Sequence, residues 1–375
     1  MQATKKPLSL LLMLLVSIML SSCKNQKVEW KGTIEEVDGV TLVKNPDEPL
    51  FGEDVFILEE ELSIGDVEGK EEQMFKNIFD VAVDENENIY ILDLNQRQIR
   101  VFDKKGKYLR NVGKLGQGPG EFQYPRQIII SPNQEFVICD PIVRRLFFFS
   151  LDGVFRKDTP TWTKGRLLRV MLDSKGKIIG EVPLVGEKQG FSLRKFGPDF
   201  EELYTIATRE REKIPILESL APSIVWCLSE SDEIIWGDSE KYEINIQDRN
   251  GNLVKKIIKE YEPVRVIEEE HNEQIKRKFG GRPIPPEFEQ ELPKYYPTFK
   301  TFMVDYDGRL FSSTFEKSKS GEGYYCDVFN SEGKYIVKIP FKTQPRVWKN
   351  QKLYTIEEDE EGYQYVKRYK VTWKF

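Results

Sequence analysis

The chain has 375 residues, with 56 Lys and Arg against 62 Asp and Glu and a formal net charge of −6. The two signs are interspersed, so no basic stripe tracks a phosphate backbone and no nucleic-acid partner is expected. The single histidine, His271, excludes any zinc site built from several histidines.

At the N-terminus, Lys5 and Lys6 precede an apolar run from Leu8 to Leu20. That run is shorter than the roughly 20 residues a membrane span takes, so residues 1–22 read as a secretion signal. Leu20-Ser21-Ser22-Cys23 resembles a bacterial lipobox, which implies cleavage before Cys23 and lipid on its sulfur. Loss of residues 1–22 removes two lysines and no acids, taking the formal charge from −6 to −8. A lipid anchor implies the bacterial cell envelope and a membrane partner. The KNQK after Cys23 lacks an acidic run, which favours the outer membrane with the protein facing the periplasm. Residues 23–50 read as a linker.

Residues 80–109, DVAVDENENIYILDLNQRQIRVFDKKGKYL, alternate apolar runs with polar turns, the pattern of antiparallel strands joined by short connections. QIIISPNQEFVICDPIVRRLFFFSLDGVFR aligns on them from Gln127 without a gap, placing Asp140 on Asp93, Arg144 on Arg97 and Gly153 on Gly106. Between the two copies lies NVGKLGQGPGEF. Its glycines suggest a phosphate loop, but Glu121 stands where a third glycine is needed, Pro119 removes an N–H, and a strand rather than a helix follows. It reads as a blade-to-blade crossover.

Looser copies follow from Val170 and from Val225, where Asp238 aligns with Asp93. A fifth begins at MVDYDGRLFSS, and WKNQKLYTIEEDEEGYQYVKRYKV supplies three strands of a sixth. Six such units over residues 51–375 predict an all-β, six-bladed β-propeller. The segment Asp54 to Gly65 is expected to complete the last blade and close the ring. Residues 259–297 break the repeat: Ile267, His271, Ile275 and Phe279 recur at four-residue steps, predicting a helix over 266–279 that stops at Gly280-Gly281. A Pro-rich stretch follows, so a helical insertion separates blades 4 and 5. Cys139, Cys227 and Cys326 sit in apolar runs and read as buried thiols.

The run IFDVAVDENENIYILDLNQRQIRVFDKKGKYL with GKLGQGPGEFQYP resembles NHL-type repeats. From about Phe51 to Phe375 the chain is similar to the six-bladed β-propeller lipoproteins of Bacteroidetes. The resemblance specifies the fold; the NHL-like group spans protein- and RNA-binding platforms, lyases and lactonase-like hydrolases.

Alternating strands put Asp93, Asp140, Asp238, Arg97, Arg144 and the crossovers on one face, at the mouth of the channel. Repetition marks those aspartates and arginines as a structural device rather than a ring of charges around a ligand. Asp80, Arg126, Arg169 and Lys300 depart from the repeat near the starts of inner strands. The expected ligand-binding set is Asp80, Arg97, Tyr124, Arg126, Arg144, Arg169 and Lys300, with Trp162, Tyr295 and Tyr296 as further aromatics. No catalytic or metal-ligating residue is assigned. A Ser-His-Asp or Cys-His arrangement would require His271 at the channel mouth. The expected function is a non-catalytic, lipid-anchored propeller that binds a protein, peptide or glycan without a cofactor. The alternative is a calcium-dependent lactonase-like hydrolase in the channel, to which Asp80 would contribute.

Overall fold

The computed structural model describes residues 29–375 except 67–69, 76, 162–166, 185–188, 213–214 and 286–291. Residues 1–22, read as a secretion signal, and Cys23 and Trp162 therefore lie outside the described residues. Among the described residues no helix is long and apolar enough to cross a membrane.

Six antiparallel sheets make the ring. Blade 1 runs outward from Ile78–Val83 through Ile89–Asp93 and Gln98–Phe102 to Tyr108–Val112. The innermost strands of blades 2 to 6 are Gln127–Ile130, Val170–Leu172, Ile224–Leu228, Thr301–Val304 and Pro345–Lys349. Blade 6 takes its outer strand, Phe56–Ile64, from the N-terminal side; it pairs antiparallel with Gln364–Trp373 and fastens the two ends of the chain.

Strand alternation explains why this sequence makes a ring. Each blade is covered on both faces, so both residue sets of a central strand are apolar. In Ile89–Asp93, Ile89 and Ile91 pack toward blade 6, while Tyr90 and Leu92 pack toward blade 2. Six such clusters occur, one at each blade interface. The recurring Asp turns have a local cause: Asp84 accepts the Asn86 and Asn88 N–H groups at 2.9 and 2.8 Å, and Asp173 accepts those of Lys175 and Lys177 in the same way.

The segment read as a linker is partly structured. Thr33–Val37 and Val40–Asn45 form a hairpin whose second strand lies parallel to Leu253–Lys259, extending blade 4 to six strands. Its last residue carries the reason. Asn45, 3% exposed, accepts the Tyr335 N–H at 2.7 Å and the Trp30 indole N–H at 3.0 Å and donates to the Gly333 carbonyl at 3.0 Å. Periodicity cannot reveal a strand added from so far along the chain.

The insertion helix is Glu268–Phe279, with Gly280 as its left-handed cap at φ 59°. Acids fill its first turn and Lys276, Arg277 and Lys278 its last, which suits the helix dipole. Cys139, Cys227 and Cys326 are buried thiols, none in a disulfide.

Candidate functional site

NVGKLGQGPGEF uses its own backbone. The Gly116 N–H bonds the Phe122 carbonyl, the Phe122 N–H bonds the Lys114 carbonyl, and the Glu121 carboxylate accepts the Gly118 N–H at 2.9 Å. A carboxylate of the chain already sits where a phosphate would bind. Asp140 then accepts the Gln123 and Tyr124 N–H groups at 2.8 and 2.7 Å, pinning the end of the crossover to blade 2.

The repeated charges prove largely local. Asp93 and Asp140 each accept N–H groups from their own turn. Arg97 and Arg144 occupy left-handed turn positions at φ 48° and 54°, which explains their equivalence in the repeat. Arg144 is exposed, while Arg97 and Tyr124 line a shallow hollow beside the crossover with Leu115 and Ile142. Arg126 stacks between Tyr124 and Phe79, with ring centroids 4.4 and 4.7 Å away. Asp80 lies in the inner strand of blade 1 and Arg169 directly before that of blade 3, and Lys300 belongs to another place.

That place is a pocket of about 370 Å³ at the junction of blades 4 and 5, roofed by the insertion helix. Lys300, Phe315 and Tyr324 come from blade 5, Ser223 and Ser239 from blade 4, and His271 and Tyr296 from the insertion. Lys300 sits directly before its inner strand, held by its N–H bond to the Ser313 carbonyl at 2.7 Å. Its Nζ lies 3.2 Å from the centroid of the Tyr324 ring and 4.4 Å from that of Phe315. Burial pushes this amine down to about 8, while the two ring faces favour its charged form.

His271 is the one buried residue of the insertion helix, at 8% exposure, and its Nε2 lies 2.7 Å from the Tyr296 hydroxyl. Tyr296 stacks on Phe315 at 4.6 Å. One phenyl ring thus separates the Lys300 amine from the Tyr296 phenol. The His271 Nδ1 is buried with no hydrogen-bond partner among the described residues. Sequence reasoning named Lys300, and Tyr296 as a further aromatic, but left His271 and its bond to Tyr296 out of the site. Its signal was the placement of the only histidine and a Tyr-Tyr pair inside one departure from the repeat.

The calcium alternative can be tested against the donor set. Among the described residues no three His, Cys, Asp or Glu side chains come together as ligands. Asp80 is instead met by the charges of Arg346 and Arg169. A hard divalent cation needs six to eight oxygens, and the carboxylates of the described residues do not supply such a set.

A family model described as a 6-bladed beta-propeller matches residues 66–162. No curated protein matches the chain. Among solved structures, a Bacteroides fragilis protein whose name describes it as exported is similar at TM-score 0.59 and 10% identity, over 89% of this chain and 100% of that one. A member of a family of unknown function from Bacteroides vulgatus gives TM-score 0.55 and 13% identity, over 86% and 100%. A gluconolactonase of Xanthomonas campestris gives TM-score 0.45 and 15% identity, over 79% and 88%. The six-bladed propeller is thus a fold found in several Bacteroidetes proteins and shared with lactonases and lyases. The expectation of a non-catalytic propeller is withdrawn: a gluconolactonase and streptogramin B lyases are among the solved structures similar to this chain, a likeness that concerns the fold alone.

Proposed function

We propose that the pocket under the insertion helix is the active site of a hydrolase for small anionic esters or lactones. The observation that carries this reading is Lys300: a desolvated amine in no ion pair among the described residues, in a pocket that Glu218 also lines, across one ring from a phenol fixed by the only histidine. A pocket of about 370 Å³ suits a small molecule. A lysine with a depressed pKa is a competent base near neutral pH.

Chemistry then follows from the residues. The neutral Lys300 amine takes a proton from water as the water oxygen bonds to the carbonyl carbon. The carbonyl electron pair moves onto its oxygen, where the Tyr296 phenol donates a hydrogen bond to the developing charge. Collapse of the tetrahedral centre breaks the C–O bond, and the alkoxide takes its proton from the Lys300 ammonium. His271 acts as a positioning residue through Tyr296. Calcium is the less favoured companion, because the described donors do not assemble around it.

The test is a panel of chromogenic esters and lactones, with and without a carboxylate, assayed with and without chelator. Activity should favour anionic members, survive chelation and rise with pH through about 8. Lys300→Met and Tyr296→Phe should each lower kcat/KM by about 10²–10⁴. A folded Lys300→Met protein with full activity would sink the reading.

An envelope location is part of the proposal, supported by the signal-like residues 1–22 and by the similar exported protein. Cell fractionation of a Cys23→Ala variant tests the anchor: retention in the membrane fraction would defeat it.

A further inference from the structure

Lys300 differs from the fully buried lysines of this chain in what its amine touches. Lys195 meets Asp173 at 3.0 Å, and Lys259 meets Asp47 at 3.2 Å and Asp327 at 3.5 Å. A carboxylate at that distance favours the ammonium, which has no lone pair to share. The Lys300 Nζ makes no hydrogen bond or ion pair among the described residues. Its neighbours are two rings, Tyr324 at 3.2 Å and Phe315 at 4.4 Å from the centroids.

That amine also borders a cavity. Lys300 lines the pocket of about 370 Å³, whose aromatic walls are Tyr296, Phe299, Phe315 and Tyr324. Glu218 is the one carboxylate of the lining, and the Arg211 guanidinium donates to it at 2.7 Å. Tyr324 stands at the rim, 42% exposed, so the cavity opens to solvent beside the amine. An unpaired lysine in an apolar, accessible hollow is the setting in which the nitrogen can act as a nucleophile.

We propose that Lys300 captures carbonyl compounds covalently, forming an imine with small aldehydes that carry a flat apolar body. This goes beyond hydrolysis, in which the same amine moves a proton, and does not rest on it. Capture needs the amine and the ring walls but no phenolic proton.

The step balances without an oxidant or reductant. The nitrogen lone pair bonds to the aldehyde carbon as the carbonyl π pair moves onto oxygen. A proton passes from nitrogen through pocket water to that oxygen, giving a neutral carbinolamine. The hydroxyl then takes a proton from water and leaves as a water molecule, while the nitrogen lone pair closes the C=N bond. The protonated imine so formed returns its proton to solvent or keeps it, and while it is charged the faces of Tyr324 and Phe315 favour it as they favour the ammonium. Burial, which brings the amine down to about 8, enlarges the neutral fraction at pH 7.

The test treats the full chain at pH 7 with benzaldehyde and sodium cyanoborohydride, whose hydride reduces the C=N bond and fixes the adduct as a benzylamine. Peptide mass spectrometry then locates it. Lys300 should be labelled about tenfold or more faster than exposed lysines such as Lys114, and the ratio should fall toward one as pH approaches 10.5. Glyceraldehyde, which has no flat apolar body, should show no such preference. Tyr324→Glu, at the exposed rim, sets a carboxylate beside the amine and should abolish the preference while the thermal melt is kept. No preference for Lys300, an equal preference with glyceraldehyde, or a preference unchanged in folded Tyr324→Glu would overturn the proposal. Ester turnover, read on untreated protein, separates the two readings: labelling without turnover upholds capture and counts against the hydrolase, and turnover without labelling does the reverse.

Discussion

The Nε2 of His271 lies 2.7 Å from the hydroxyl of Tyr296, so the only buried side chain of the insertion helix is fastened to the segment that leads back into blade 5. Lys317 and Glu270 add a surface pair at 2.6 Å. Cutting the first link should free the helix and leave the propeller intact. His271→Ala is expected to speed amide exchange across 268–279 while the central strands of blades 4 and 5 stay protected. Hydrogen-exchange mass spectrometry checks it; unchanged exchange would mean that other contacts hold the helix.

Lys300 should carry a stability cost that pH reveals. Its amine, lowered from 10.5 to about 8 by burial, is disfavoured in the folded state whenever it is protonated. The cost is therefore full below pH 8 and gone above about 10.5. Lys300→Met should be more stable than the wild type at pH 7 by about 1–3 kcal/mol, with the two proteins converging near pH 10. Urea denaturation at both pH values measures the difference. The face-on rings of Tyr324 and Phe315 place the value toward the lower end.

Asp80 behaves in the opposite pH direction for the same reason, burial of a charge. Its carboxyl is partly accessible along the channel but enclosed by protein, and burial raises it from 3.8 to about 6. A raised acid favours folding below pH 3.8 and loses that contribution as pH rises through 6. Asp80→Asn keeps an acceptor for the Ile128 N–H and should gain about 1–3 kcal/mol at pH 7.5. That gain should fade as pH falls from 6 to 4 in thermal melts.

Asn45 joins the N-terminal hairpin to two blades. Asn45→Ala would leave the buried Tyr335 N–H and Gly333 carbonyl without their partner. The expected loss is about 2–4 kcal/mol by chemical denaturation, from two unpaired backbone groups. A loss under 0.5 kcal/mol would show that the hairpin is a passive addition.

Gly113 opens the crossover at φ 71°, and a Cβ there would sit 2.0 Å from the Phe122 ring. Gly113→Ala should therefore cost more than the conformational penalty alone, about 2 kcal/mol or more, because Phe122 is fully buried and cannot yield. A melt within a degree of the wild type would contradict this packing.

Much of the ring was legible in the residues. Asp84, Asp103, Asp173, Asp248 and Asp305 open turns that recur because each carboxylate binds the N–H groups two and four residues on. That bond is local and leaves a fixed mark in the sequence. The outer strand at Phe56–Ile64 was legible too, because the last blade came up one strand short. The hairpin over 33–45 was not, since its pairing with Leu253–Lys259 joins residues more than two hundred apart.

The candidate site divides in the same way. Asp80, Arg126, Arg169 and Lys300 stand out in the sequence because they interrupt apolar strand starts. Their partners did not: Asp80 meets Arg346, Arg126 meets Phe79, and Lys300 meets Tyr324 and Phe315. Arg97 and Arg144 looked alike for a backbone reason, a left-handed turn, which residue type alone does not declare.

By itself the sequence determined the repeat, the blade number, the place of the insertion and the face on which the crossovers gather, because these follow from period-two alternation and from turns closed within a few residues. Tertiary structure alone decided where the lone histidine would stand and that one phenyl ring would part an amine from a phenol. Those arrangements depend on closing the ring, which sets side chains from distant blades a few ångströms apart.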